Sequence, residues 1–116
     1  MPVRRINVGP RMSQAVVHGN TVYVAGQVAA NPTSSVAEQT KQILGQIDAL
    51  LKEAGTEKNK LVSATVWLAD IRSFDEMNSM WDSWVAPGHT PARATVEAKL
   101  AGAKYLVEIA VVAALD

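Results

Sequence analysis

The chain contains no cysteine. That excludes a disulfide framework, a thiolate metal site and a cysteine nucleophile. Histidine is nearly as scarce. His18 and His89 are the only two, they read as turn and loop residues, and their positions show no ligand spacing, so a metal site has no support. Neither sign of charge prevails: Lys plus Arg and Asp plus Glu stand at 11 each, and nothing in that balance draws the chain to nucleic acid or an anionic membrane. No apolar run approaches the roughly eighteen residues of a membrane span. The opening Met1-Pro2-Val3-Arg4-Arg5-Ile6-Asn7 has no apolar segment behind its arginines and does not read as a secretory signal. Repeats and low-complexity tracts are also missing. The serines lack a readable histidine–carboxylate partnership for a hydrolytic triad, and Gly26-Gln27 lacks the glycine spacing of a phosphate loop. The expectation is a soluble, cytoplasmic protein with no cofactor. With 48% apolar and 19% charged residues, residues 1–116 read as a single folded domain.

What is present is a set of clear local periodicities. Met12 to His18 and Thr21 to Gln27 are runs of β-branched and small residues joined by Gly19-Asn20, a two-residue hairpin signal. After the turn Asn31-Pro32-Thr33-Ser34, Ser35-Val36-Ala37-Glu38 has the Ser-x-x-Glu form of a capping box. Behind it Ile43, Leu44, Ile47, Leu50, Leu51 and Ala54 recur at helical spacing, and Gly55 stands where a left-handed cap ends a helix. Leu61 to Ala69 reads as a strand with Val62, Ala64, Val66 and Leu68 on its apolar side. Ser73-Phe74-Asp75-Glu76 repeats the capping-box form. It opens a second helix whose stripe is Met77, Met80, Trp81, Trp84 and Val85, closed by Pro87-Gly88. Arg93 to Lys99 and Leu106 to Leu115 are the last two strands.

With a short first strand over Val3 to Val8, the order is β-β-β-α-β-α-β-β. It predicts an α+β fold, one mixed sheet with both helices packed on one face. The other face, with Trp67, Leu106, Ala110, Val112 and Ala114, is left bare. That much apolar surface predicts self-association.

Two of the strands carry one fixed charge each in small or apolar surroundings: Arg93 in Pro91-Ala92-Arg93-Ala94-Thr95-Val96, and Glu108 in Tyr105-Leu106-Val107-Glu108-Ile109. A desolvated guanidinium clamps a small carboxylate with two prongs, and a nearby carboxylate can hold or activate water. A strand Arg facing a strand Glu also fits a structural salt bridge. If the last two strands pair as a hairpin, matching their apolar faces puts Glu108 on the same side as Arg93. They would then lie four residues, or about 13 Å, apart along the ladder. That spacing is too long for an ion pair and suits a bracketed small molecule.

Gly9-Pro10, Gly26-Gln27, Asn78, Pro91-Ala92-Arg93 and Val107-Glu108-Ile109, in this order and spacing, resemble the RidA (YjgF-like) reactive intermediate deaminases. The similarity runs from about residue 3 to the C-terminus. It is greatest to the YoaB-like branch, through the segment Ser13 to Tyr23, Trp81-Asp82-Ser83-Trp84-Val85 and Pro87-Gly88-His89. The resemblance implies a chorismate-mutase-like fold assembled as a homotrimer, sheets inward, with ligand sites between subunits. It also implies hydrolysis of 2-imino or enamino acids to 2-keto acids and ammonia, without cofactor. Arg93 would hold the substrate carboxylate and Glu108 would position water. Arg11, Ser13, Gly26, Asn78 and Thr95 would line the site.

Three positions depart from the family pattern. Arg11 replaces the aromatic residue usual after Gly-Pro, Ala25 replaces the serine before Gly-Gln, and Ala110 replaces the second glutamate of a Glu-Ile-Glu run. Arg11 either favours a dianionic substrate or pairs with Glu97 or Glu108. The loss of a hydroxyl at Ala25 keeps open a rival reading, a trimeric module that binds small carboxylates or protein partners without turnover. A ribonuclease role, attributed to some relatives, has no support from a neutral chain lacking a basic patch with interleaved aromatics.

Overall fold

Alternating burial and helical periodicity divide the chain into six strands and two helices. A computed structural model describes all of residues 1–116. The strands are β1 (Val3–Val8), β2 (Ser13–His18), β3 (Thr21–Gln27), β4 (Leu61–Leu68), β5 (Ala92–Glu97) and β6 (Val107–Ala114). The helices are α1 (Val36–Ala54), between β3 and β4, and α2 (Phe74–Trp84), between β4 and β5. They form one mixed sheet in the order β1-β2-β3-β6-β4-β5. Every pairing is antiparallel except β4 with β5, which are parallel and joined through α2.

The anticipated hairpin between the last two strands does not form. After β5 the chain recrosses β4, and β6 inserts between β3 and β4. The composition of the strands accounts for this. Val107, Ile109, Val111 and Ala113 of β6 are all essentially buried, which suits a central strand. The shorter β5 carries Arg93 and Glu97 and sits at the edge, where charged side chains are tolerated and discourage further pairing. The returning loop is pinned to α1 by the buried Gln39. Its amide donates to Thr33 O (2.6 Å) and Lys104 O (2.9 Å), and its Oε1 accepts from Leu106 N–H (2.9 Å). Leu106 therefore packs against the core and not on the bare face.

Both helices lie on one face, over a core built from Ala15, Val17, Val22, Val24, Ala64, Val66, Leu68 and the inward residues of β6. Ile43, Ile47 and Leu51 of α1 and Met77 of α2 are fully buried there. Along β4 the alternation starts one residue off the expected register. A bulge between Leu61 and Ser63 buries Leu61 and turns Val62 out to 55% exposure, and from Ala64 onward the predicted parity holds. On the uncovered face Tyr23 and Val96 remain 49% and 47% exposed, and Trp67, Ala110, Val112 and Ala114 are half-buried.

The helix ends show how local signals are used. Ser35 caps α1, its Oγ accepting from Glu38 N–H at 3.1 Å, while its own N–H donates to Thr33 Oγ1. Gly55 ends the helix in the left-handed region, at φ 96°. The capping box expected at Ser73 is not made, because Ser73 lies in a 3-10 turn (Ile71–Ser73) and its side chain caps nothing. That turn is held by Asp70, which accepts from Arg72 N–H and ion-pairs with the Arg72 guanidinium, so its carboxyl is lowered to about 2. Glu76 reaches across to the other helix, where its Oε2 accepts from Ala37 N–H (3.0 Å) in the first turn of α1. Removing that carboxylate with Glu76→Ala is expected to lower the unfolding free energy by about 0.5–2 kcal/mol, the usual loss of an N-terminal cap. Ser73→Ala should stay within about 0.5 kcal/mol. Urea denaturation followed by circular dichroism reads both.

Candidate functional site

Arg93 stands level with Ala64 of β4, whose side chain is in the core, so it points to the helix-covered face. There α2 receives it. Its Nη1 donates to Asn78 Oδ1 at 2.8 Å, and its guanidinium carbon lies 5.0 Å over the Trp81 ring and 5.9 Å from that of Phe74. A guanidinium has five N–H donors, and the chain engages one of these. Burial pushes the Arg93 pKa down from its ordinary value, and the nearby Asp82 charge pushes it back up. The group stays cationic, partly stripped of water, with most of its fork unclaimed. Two residues along the same face, Thr95 opposes Val66, and its Oγ1 is buried without a hydrogen-bond partner.

Trp81 is itself braced. Its ring lies 5.4 Å from that of Trp84, whose indole N–H donates to Asp48 Oδ2 of α1 at 2.9 Å. Trp84 thus does not touch Arg93; it backs the ring that does. Helical spacing puts both tryptophans on the core-facing stripe, with Trp84 also open to walling a pocket. Trp81 is buried and Trp84 only partly so, and the guanidinium contact appears only once β5 lies beneath α2.

Glu108 is elsewhere. It opposes Trp67 of β4 and so projects from the uncovered face. Its carboxylate lies directly over Gly26: a Cβ built at position 26 would collide with Glu108 Oε2. The absent side chain, not an unusual φ, is what this glycine supplies. The β3–β6 register shifts between Val24 and Gln27, and a glutamine network holds the irregularity. Gln27 Nε2 donates to Gln14 Oε1 (2.9 Å) and Ala25 O (3.1 Å), and Gln46 of α1 donates to Gln27 Oε1 (3.2 Å). Ser13 begins β2, paired with Val8, and Arg11 is exposed in the β1–β2 turn. By register both lie at the end of the sheet that holds Gly26 and Glu108.

The proposed site residues therefore fall into two groups. Arg93, Asn78 and Thr95 gather under α2 at one edge. Arg11, Ser13, Gly26 and Glu108 share one end of the other half of the sheet. The expectation that Arg93 and Glu108 share a side is overturned. It assumed a β5–β6 hairpin, whereas β4 lies between these strands and Arg93 has the parity of the buried Val111. The two residues differ by three positions along β4 and by two strand spacings, roughly 10 Å each way, on opposite faces. Neither a salt bridge nor a shared ligand is available to them within one copy. Neither group lines any of the four surface cavities, of which the largest, about 520 Å³, lies around Ala98, Lys99 and Tyr105.

Known proteins carry the same arrangement of chain. A family model described as Endoribonuclease L-PSP matches residues 4–115. The RutC family protein YoaB of Escherichia coli K12 is 45% identical over 115 residues, covering 99% of this chain and 100% of that protein. A RutC family protein of Haemophilus ducreyi is 40% identical over 114 residues, covering 98% of this chain and 97% of its own length. A crystal structure of a YjgF-family protein from Neisseria meningitidis superposes with a TM-score of 0.97 at 41% identity, covering 100% of this chain and 97% of that one. The chain belongs to the RidA (YjgF-like, RutC) family and has its chorismate-mutase-like fold. Within the family it falls in the YoaB-like branch.

The contact between Gly26 and Glu108 can be tested without knowing the ligand. Gly26→Ala is expected to fold, since a side-chain end is easier to move than backbone, but to displace the Glu108 carboxylate in a crystal structure. In a double-mutant cycle with Glu108→Ala the two changes should be non-additive by about 0.5–3 kcal/mol. Additivity would mean the two do not press on each other.

Proposed function

We propose that this protein is a 2-imino acid deaminase whose sites are completed between copies of the chain. The observation that carries the reading is the Arg93 guanidinium, partly desolvated, set over the Trp81 ring, held by Asn78, and still offering most of its donors. A planar fork fixed in that way suits the carboxylate of a small acid.

Glu108 completes the chemistry only from a second copy, because its own lies on the opposite face. The uncovered apolar face supports such an assembly, and the number three rests on the family resemblance. In the trimer Arg93 binds the substrate carboxylate, and Glu108 of the partner subunit orients a water beside the protonated imine carbon. The water oxygen bonds to that carbon while the C=N π pair moves to nitrogen, and Glu108 takes a proton from the water. The neutral carbinolamine that results takes the proton back from Glu108 on its nitrogen. The C–N bond then breaks with its electron pair leaving on ammonia, and the hydroxyl oxygen closes the C=O bond and gives its proton to Glu108. Ammonia takes that proton, leaving a 2-keto acid and ammonium. No redox change occurs. Placement supplies much of the rate, since the iminium carbon is already electrophilic.

Light scattering is expected to give about three times the 12.4 kDa chain mass. The activity is read by generating a panel of imino acids with an amino-acid oxidase and following their decay with and without the protein. Faster decay supports the proposal. Unchanged decay with intact 2-keto acid binding would leave a binding module.

Arg93→Lys should cost about ten- to a hundredfold in kcat/KM with assembly unchanged. Glu108→Gln should lower kcat by about a hundredfold or more and spare 2-keto acid affinity. An equal mixture of co-folded Arg93→Ala and Glu108→Ala chains should recover about a quarter of wild-type activity, because one interface arrangement in four reunites both side chains. No recovery would overturn the shared site.

A further inference from the structure

We infer that the preferred substrate carries a second carboxylate, recognised by Arg11, so that this deaminase acts on 2-imino dicarboxylic acids. The inference deepens the reading above and rests on it for the reaction, though not for the binding preference.

Arg11 sits at the tip of the β1–β2 turn. The turn is closed by the Gly9 N–H to Met12 O hydrogen bond at 2.8 Å and by the Val8–Ser13 pair, and Pro10 stiffens it. The backbone that carries Arg11 is therefore fixed. Within one copy the side chain meets no acidic partner. The protein's ion pair is Arg72 with Asp70, and Arg11 makes none with Glu108 or Glu97. Glu97 is engaged instead by the Ile71 N–H at 3.0 Å. Arg11 remains an exposed, unpaired cation at the same end of the sheet as Gly26 and Glu108, on the copy that supplies the catalytic carboxylate.

Charge complementarity then distinguishes the substrate classes. Arg93 already shares its field with Asp82, whereas Arg11 has no acidic partner within its own copy and is the cation left to be matched. An iminium with one carboxylate is neutral overall. An iminium with two carboxylates carries one net negative charge. It also gives each guanidinium a carboxylate: the one beside the imine carbon on Arg93, the distal one on Arg11. Ala25, beside Gly26, places a methyl group and not a hydroxyl near this end, so Arg11 is the neighbouring side chain equipped to read a distal anion.

The test compares imino acids generated enzymatically from glutamate and aspartate with those from alanine and methionine. It also measures calorimetric binding of 2-oxoglutarate against 2-oxobutanoate. The wild-type protein is expected to favour the dicarboxylates by about tenfold or more in both readouts. In Arg11→Gln the ratio of dicarboxylate to monocarboxylate should collapse toward one, and Arg11→Lys should restore part of it, since charge is kept while the fork is lost. Equal wild-type preference for the two classes, or an Arg11→Gln effect that lowers both equally, would overturn the inference. If no imine is hydrolysed, the deaminase reading fails by itself. The inference then stands or falls on whether 2-oxoglutarate binds more tightly than 2-oxobutanoate and loses that advantage in Arg11→Gln.

Discussion

The burial of Val107, Ile109, Val111 and Ala113 beneath the helices fixes the register of β6, and the rest of the molecule follows from it. A strand has a side-chain period of two, so locking these residues into the core commits Glu108, Ala110, Val112 and Ala114 to the opposite face. A slip of one residue would bury a carboxylate and expose the core of the central strand. Hydrophobic packing on one side of the sheet is thus what holds the Glu108 carboxylate in place on the other.

The Arg93 half is built by different means. There the determining element is the parallel β4–α2–β5 crossover, which lays α2 over the edge strand and brings Asn78, Phe74 and Trp81 onto the guanidinium. The neighbouring Trp81 and Phe74 rings take water from the cation, while the Asn78 hydrogen bond orients it. The brace extends through Trp84 to Asp48, so α1 helps hold an arginine that it never touches. Apolar burial orients Glu108 indirectly, and aromatic contact orients Arg93 directly.

Much of this architecture was legible in the sequence. Ser35 and Gly55 mark the ends of α1 because capping chemistry is local, and the alternation along each strand announces its two faces. What alternation does not encode is which strand lies beside which. Arg93 and Glu108 each stand out as a lone charge in a strand, yet pairing neighbours in sequence as neighbours in the sheet puts them on one face. Bulges at Leu61–Ser63 and Val24–Gln27 are silent for a related reason: one extra residue changes parity without altering composition. Glu76 illustrates the remaining gap. Its motif reads as a cap for its own helix, while the tertiary fold delivers its carboxylate to the N-terminus of the other.

The bare Cα of Gly26 beneath the Glu108 carboxylate ties two positions 82 residues apart into a single steric unit. Glutamate at 108 in its present rotamer requires glycine at 26, so position 26 is not free to change while that carboxylate stays where it is. A lineage that first acquires a side chain at 26 must give up the present placement of its carboxylate. A residue other than glycine at 26 would therefore mark a displaced carboxylate at 108, readable from sequence alone.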